Sequence, residues 1–196
     1  IISGGNHTSG IFFCEAHLGA ARGGHSIEVG TRQGGSAVLF IKAMRRIYER
    51  ARPMLFTVDP YGGKPYKGGD ITVESVQLYD SADFVRAKLL LCDTPNHAHF
   101  YMRGLDFFGV MRDLPFWQDG KKHHFGTGAA FVFLDGEHDA DTIRRESTQA
   151  IEWVAPGGLV VIDNAKQDPN TLPMLMQTFG ERAFSTEDRQ MAIIRT

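Results

Sequence analysis

Short, continuous apolar runs recur along this chain, and each is separated from the next by a segment with helical periodicity. "HSIEV" (25–29), "MLFTV" (54–58), "AHFYM" (98–102), "AAFVFL" (129–134) and the run that ends at Asp163 read as strands. Continuous apolarity, rather than alternation, is what a strand covered on both faces requires. Between the first two runs, Ala37, Phe40, Ile41, Met44, Ile47, Tyr48 and Ala51 fall on one helical face, and Pro53 closes the segment. Residues 72–92 and 141–154 also read as helices, the latter with Ile143, Ala150 and Val154 on one side. A helix over 170–183 turns Leu172, Leu175, Met176 and Phe179 inward, and "QMAIIR" supplies a last strand.

Strands alternating with helices predict an open, doubly wound, mostly parallel α/β sheet with helices on both faces and a final antiparallel strand. The 196 residues fit one domain spanning 1–196. Residues 60–70, within "DPYGGKPYKGGD", are too rich in Gly, Pro and Lys to build core and read as a mobile surface loop. A net charge of −2 advertises neither a nucleic-acid nor an anionic-membrane surface, and no apolar stretch approaches the roughly 20 residues of a membrane span. Cys14 and Cys92 form no metal or redox spacing, so both read as small, buried, reduced thiols. No charged-then-apolar leader is visible, and the expected setting is cytoplasmic. "NHT" at Asn6 matches a glycosylation pattern that such a setting makes incidental.

In open α/β sheets ligands bind beyond the carboxyl ends of the strands. That rule selects Glu28 and Gly30, Asp59, Asp106, Asp135 to His138, and the pair Asp163–Asn164. "EVGTRQGGSA" places Gly30 straight after a strand, with Gly34 and Ser36 at the start of a helix. Its spacing is neither G-x-G-x-x-G nor the Lys-containing phosphate loop, which argues against a dinucleotide or a nucleoside triphosphate. Glu28 would repel a pyrophosphate but suits an ammonium or sulfonium, and Asp59 is placed to accept hydrogen bonds from a ribose diol.

"IEVGTRQGGSAV" resembles the first motif of class I S-adenosylmethionine-dependent methyltransferases, acid-x-Gly-x-x-x-Gly-x-Ser. "TVDP" is similar to their second motif, and "FVFLDGEH" and "VAPGGLVVIDNA" to their fourth-strand and following regions. The resemblance covers roughly 20–60 and 128–196, and it implies a Rossmann-like domain that binds S-adenosylmethionine through Glu28, Gly30, Gly34, Ser36, Asp59 and Asp135. Asp106 stands where such enzymes contact adenine. "LDGEH" followed by "PGGLVVIDNA" is most similar to small-molecule O-methyltransferases of the catechol type and of macrocin and cephalosporin biosynthesis. From these the implied metal ligands are Asp135, Asp163 and Asn164, a hard oxygen set suited to Mg²⁺ or another divalent cation. His138 and Glu137 occupy the positions of the proton acceptors in two branches of those relatives, and either could serve.

The implied partner is a small hydroxylated substrate. A metal-independent methyltransferase and a non-catalytic cofactor-binding module are the competing readings. Against the latter, every strand-end acid is retained. Base methylation would call for "NPPY" or "DPPY" where this chain has "LDGEH". Phe116 and Trp117 could line a substrate pocket or simply pack, and His123–His124 reads as a solvated turn.

Overall fold

A computed structural model describes residues 24–47, 53–61, 73–92, 94, 96–118, 120–186 and 190–196. The strands are β1 (Ser26–Val29), β2 (Leu55–Val58), β3 (His97–Phe100), β4 (Pro115–Gln118), β5 (Lys121–His124), β6 (Ala129–Leu134), β7 (Val154–Ile162), β8 (Ala183–Ser185) and β9 (Ala192–Arg195). The helices are α1 (Gly35–Ile47), α2 (Val73–Leu91), α3 (Gly104–Met111), α4 (Ala140–Trp153) and α5 (Thr171–Phe179). Seven strands form one sheet in the order β3-β2-β1-β6-β7-β9-β8. The first five are parallel, whereas β9 runs antiparallel to both β7 and β8. The doubly wound sheet with a final antiparallel strand is therefore present, with β8 as an additional edge.

The two faces of the sheet bury different residues, as the two-residue period of a strand dictates. Leu55, Phe131, Phe133, Leu159 and Val161 pack under α1 with Ala37, Phe40, Ile41 and Met44. Ile27, Val29, Phe56, Val132, Leu134 and Ile162 pack against α3, α4 and α5. Trp153, at the end of α4, is 1% exposed and meets the rings of Phe107 and Phe108. Helix α4 starts where Asp139 Oδ1 accepts the Thr142 N–H at 3.0 Å, which satisfies one of its orphan donors.

Several expectations change. Met176 is 48% exposed, because α5 buries only the stripe through Thr171, Leu175 and Phe179. Strand β3 begins at His97 and ends at Phe100, so Tyr101 and Met102 lie beyond it. Cys92 is exposed, since α2 ends just before it. Cys14, Asn6, Tyr48, Ala51 and residues 62–70 of the expected loop lie outside the described residues.

His123–His124 lies not in a turn but in β5 of the β4–β5 hairpin, in which Trp117 pairs with Lys122 and Phe116 with His123. The hairpin follows the C-terminus of α3 and precedes β6, at the amino edge of the parallel strands. Phe116 packs into the core against His25 and Phe56 there, and Trp117 is 64% exposed. Neither reaches the carboxyl edge, so neither lines a pocket there.

Candidate active site

The strand register puts the selected residues in one row. Val29 pairs with Val58 and Leu134, Val58 with Phe100, and Leu134 with Ile162. The first residues past these strands are therefore Gly30, Asp59, Tyr101, Asp135 and Asp163, side by side at the carboxyl edge. The ladder continues one rung into that row. Gly30 N–H donates to Val58 O at 2.8 Å and Asp59 N–H to Phe100 O at 3.1 Å. Asp135 N–H donates to Val29 O at 2.8 Å and Asp163 N–H to Leu134 O at 2.9 Å. Four of the expected site residues thus take their positions from sheet hydrogen bonds rather than from loop packing.

Gly30 has φ +90°, and a Cβ placed on it would land on the carbonyl of Asp135, so only glycine allows the two strand ends to close up. Gly34 has φ +79°, its N–H closes a turn to Thr31 O at 2.7 Å, and its own carbonyl accepts the first helical bond from Val38 at 3.1 Å. Ser36 sits in the first turn of α1. Beneath this loop Glu28 is 0% exposed, and neither carboxyl oxygen makes a well-formed hydrogen bond. Burial pushes its pKa up to about 8, although nearby Ser36 eases the charged form and Asp135 and Asp59 oppose it. A fully buried carboxyl with both oxygens unpaired is an incomplete site, because such a group normally costs stability unless a partner arrives.

Asp59 is pre-oriented. Its Oδ2 accepts the Arg32 N–H at 2.9 Å and its Oδ1 accepts the Tyr61 N–H at 3.1 Å. Tyr61 O–H donates back to the Arg32 carbonyl, which closes the loop after β1 onto the loop after β2. Arg32, itself left-handed at φ +47°, also reaches Asp83 of α2, Nε to Oδ2 at 3.5 Å. Arg32, Tyr61 and Asp83 were not anticipated. Arg32 lay inside the glycine motif, but nothing in the one-dimensional pattern tells a loop side chain that braces from one that meets water.

Across the row, the Asp135 and Asp163 carboxyls stand within hydrogen-bonding reach of each other. Burial, followed by the negative charge of Asp163, holds the Asp135 carboxyl well above the usual carboxylate range, while Arg32 pulls the other way. Asn164 follows with φ +53°, a left-handed conformation that asparagine tolerates better than most residues. Neither acid caps a helix: Asp139 starts α4, and Asn170 precedes α5. Burial lowers the His138 pKa, with Asp163 and Glu137 partly offsetting it, so the ring is neutral at pH 7. Glu137 is half-buried, with Oε2 unpartnered. Among the described residues no three His, Cys, Asp or Glu side chains form a metal-binding group, so a cation here would need the Asn164 amide as its third protein ligand.

Asp106 lies in the first turn of α3 and is exposed, apart from the row. Glu146 of α4 was not anticipated: it is 2% exposed and accepts the Leu105 N–H at the start of α3, its pKa pushed up to about 8 by burial and by Glu137 and Asp139. His123 and His124 lie in β5 at the far end of the sheet, one against the Phe116 ring and the other beside the Asp113 carbonyl, and form no metal pair.

A family model described as a methyltransferase domain matches residues 27–165, from β1 through the strand-end pair. The chain belongs to that methyltransferase family. It is an S-adenosylmethionine-dependent methyltransferase with the Rossmann-like fold expected from its motifs. Among solved structures it is similar to the O-methyltransferase TomG of Streptomyces achromogenes, involved in tomaymycin synthesis and solved with SAM. That pair shares 15% identity over 98% of this chain and 81% of TomG, with a TM-score of 0.60. The O-methyltransferase NovP aligns at 16% identity over 94% of this chain and 78% of its own, with a TM-score of 0.60. An O-methyltransferase from Bacillus cereus in complex with SAH aligns at 13% identity over 100% of this chain and 84% of its own, with a TM-score of 0.55. No curated protein sequence matches the chain significantly. No helix among the described residues is long and apolar enough to cross a membrane.

Proposed function

We propose that this methyltransferase moves the methyl group of S-adenosylmethionine to a hydroxyl oxygen of a small molecule, assisted by a divalent cation held by Asp135, Asp163 and Asn164. The observation that carries the reading is the acid pairing at the strand ends. Two half-buried carboxyls from the ends of adjacent strands stand close enough for each charge to bear on the other, an arrangement that like charges tolerate best with a proton or a cation between them. Oxygen ligands of this kind suit Mg²⁺, and a bound cation would lower the pKa of a coordinated hydroxyl and fix its direction.

The remaining work falls to the chain's own residues. Glu28, buried with neither oxygen in a well-formed hydrogen bond, would give up its proton as a ligand bearing an ammonium or sulfonium group arrives above Gly30, and the carboxylate so formed would face that cation. Gly34 and Ser36, at the start of α1, border the same ligand. Asp59, its carboxyl oriented by two loop amides, would accept hydrogen bonds from a ribose diol, and Asp106 would sit toward the outer, adenine side. The substrate oxygen attacks the methyl carbon as the carbon–sulfur bond breaks and the sulfur keeps the bonding pair. The hydroxyl proton passes to His138, whose neutral ring can accept it, or to Glu137. Holding the two reactants in line supplies much of the acceleration for such a displacement. The similarity to O-methyltransferases TomG and NovP supports oxygen as the acceptor atom.

A melting experiment on metal-stripped protein tests both halves. Saturating S-adenosylhomocysteine should raise the melting temperature, and Mg²⁺ should raise it further. Ligand at 100 times its dissociation constant corresponds to about 2.7 kcal/mol. A nucleoside response indifferent to Mg²⁺, Mn²⁺ and chelator would overturn the metal-assisted form in favour of direct hydrogen bonding by Asp163 and Asn164. No response to the nucleoside would overturn the site itself.

A further inference from the structure

A hydrogen-bond chain at the β3 edge of the sheet ends on Asp59 and takes part in none of the roles above. Thr57 of β2 is completely buried. Its Oγ1 lies 2.8 Å from His97 Nε2 and 2.8 Å from His99 Nδ1. The two histidines are two residues apart on β3, hence on one face, and Thr57 stands opposite His99 in the register. The second nitrogen of His99, Nε2, lies 3.3 Å from the Asp59 carbonyl oxygen.

The direction of every bond in this chain follows. A carbonyl only accepts, so His99 Nε2 carries a proton. Burial lowers the His99 pKa to about 4, so at neutral pH the ring holds that proton alone and Nδ1 is an acceptor. Thr57 must therefore donate to Nδ1. A hydroxyl has a single proton, so Thr57 accepts from His97 Nε2–H. The order runs from His97 to Thr57 to His99 to Asp59, with both tautomers fixed.

Packing alone does not hold these rings. His97 and His99 line a cavity of about 210 Å³, bordered also by Tyr61, Phe84 and Tyr101. The Tyr61 and Tyr101 rings lie against the His99 imidazole, with open space beside them, and its two hydrogen bonds decide which nitrogen faces Thr57 and which faces Asp59. Asp59 is in turn pinned at its N–H by Phe100, at its carboxyl by two loop amides and at its carbonyl by His99.

We infer that His99 is a positioning residue for cofactor binding: it holds the Asp59 peptide so that the carboxyl faces the ribose, and Thr57 and His97 fix its tautomer. The inference builds on Asp59 as the ribose-binding acid proposed above.

Calorimetric titration of S-adenosylhomocysteine into the full chain tests it, with His99→Gln, His99→Asn, Thr57→Val and Asp59→Asn compared. Glutamine can carry a donor near the position of Nε2, whereas asparagine reaches only the position of Nδ1. His99→Asn and Thr57→Val should each weaken binding by about tenfold, the scale of one hydrogen bond, and His99→Gln should stay within about threefold of the parent. In turnover, the KM for S-adenosylmethionine should rise in the first two while kcat at saturation stays put. Equal affinities for the Gln and Asn variants would overturn the inference, as would melting losses in both without a difference in binding. Unchanged binding in Asp59→Asn would instead remove the ribose assignment, and it tells the two failures apart.

Discussion

Asp135 and Asp163 follow different strands, β6 and β7, yet their carboxyls come close enough for each charge to bear on the other because the Asp163 N–H is the next rung above Leu134. This pairing is set by the parallel ladder, so removing one side chain leaves the frame standing.

Asp163→Ala should therefore abolish the Mg²⁺-dependent part of the melting shift and metal-dependent turnover. Binding of S-adenosylhomocysteine should stay within a few-fold of the parent, because Glu28 and Asp59 lie across β1 and β2. Calorimetry with and without Mg²⁺ checks this, and equal loss of both affinities would contradict the assignment.

Glu28 makes stability depend on pH in a stated direction. Its pKa rises from 4.5 to about 8 on folding, so between those values the unfolded chain gives up its proton while the folded one keeps it. The ligand-free protein should lose stability as pH rises through that window, by up to about 1.4 kcal/mol per unit. Glu28→Gln should flatten the slope in urea unfolding at pH 5, 7 and 8.5. The same variant should bind S-adenosylmethionine at least about tenfold more weakly, having lost the carboxyl that the ligand's cation would draw into its ionised form.

Gly30, in the loop after β1, and Gly35, the first residue of α1, should respond in opposite ways. A methyl group at Gly30 meets the Asp135 backbone at positive φ, whereas one at Gly35 meets nothing within 4 Å. Gly30→Ala should cost about 3 kcal/mol or more, and Gly35→Ala should be neutral or mildly stabilising. Gly30→Val should harm the site by forcing the strand ends apart before any ligand arrives. Thermal melts of the free proteins separate the two.

Trp117→Ser should leave kcat/KM unchanged, because the β4–β5 hairpin sits at the opposite edge of the sheet from Asp135 and Asp163. A fall of more than about threefold would show that the hairpin communicates with the chemistry. That threshold is a ΔΔG‡ of about 0.7 kcal/mol.

Much of this architecture was legible because buried parallel strands write themselves as apolar runs, and the first residue after each run is where polarity returns. "FVFLDGEH" reports β6 and Asp135 together for that reason. The hairpin was missed because "PFWQDGKKHHFG" puts lysines and histidines on strands that build little core, so the usual apolar signature is absent. Met176 was misplaced because its position fits a wide helical stripe, whereas α5 buries a narrow one through Leu175 and Phe179. The brace from Arg32 to Asp59, and the chain through Thr57 and His99, join positions 27 to 42 residues apart. Only the pairing of strands brings them together, and no local pattern carries that information.

The row of strand-end residues has a consequence for how such a chain can change. Since side chains alternate sides with every residue, deleting one residue within β6 would turn Phe131 and Phe133 inside out and pull Asp135 down into the sheet. Adding residues after Asp135 or Asp163 leaves the row intact and only lengthens what surrounds it. Length variation in this scaffold is therefore costly inside the strands that end on the row and tolerated in the loops beyond the site residues, so a change of substrate can be written in insertions there.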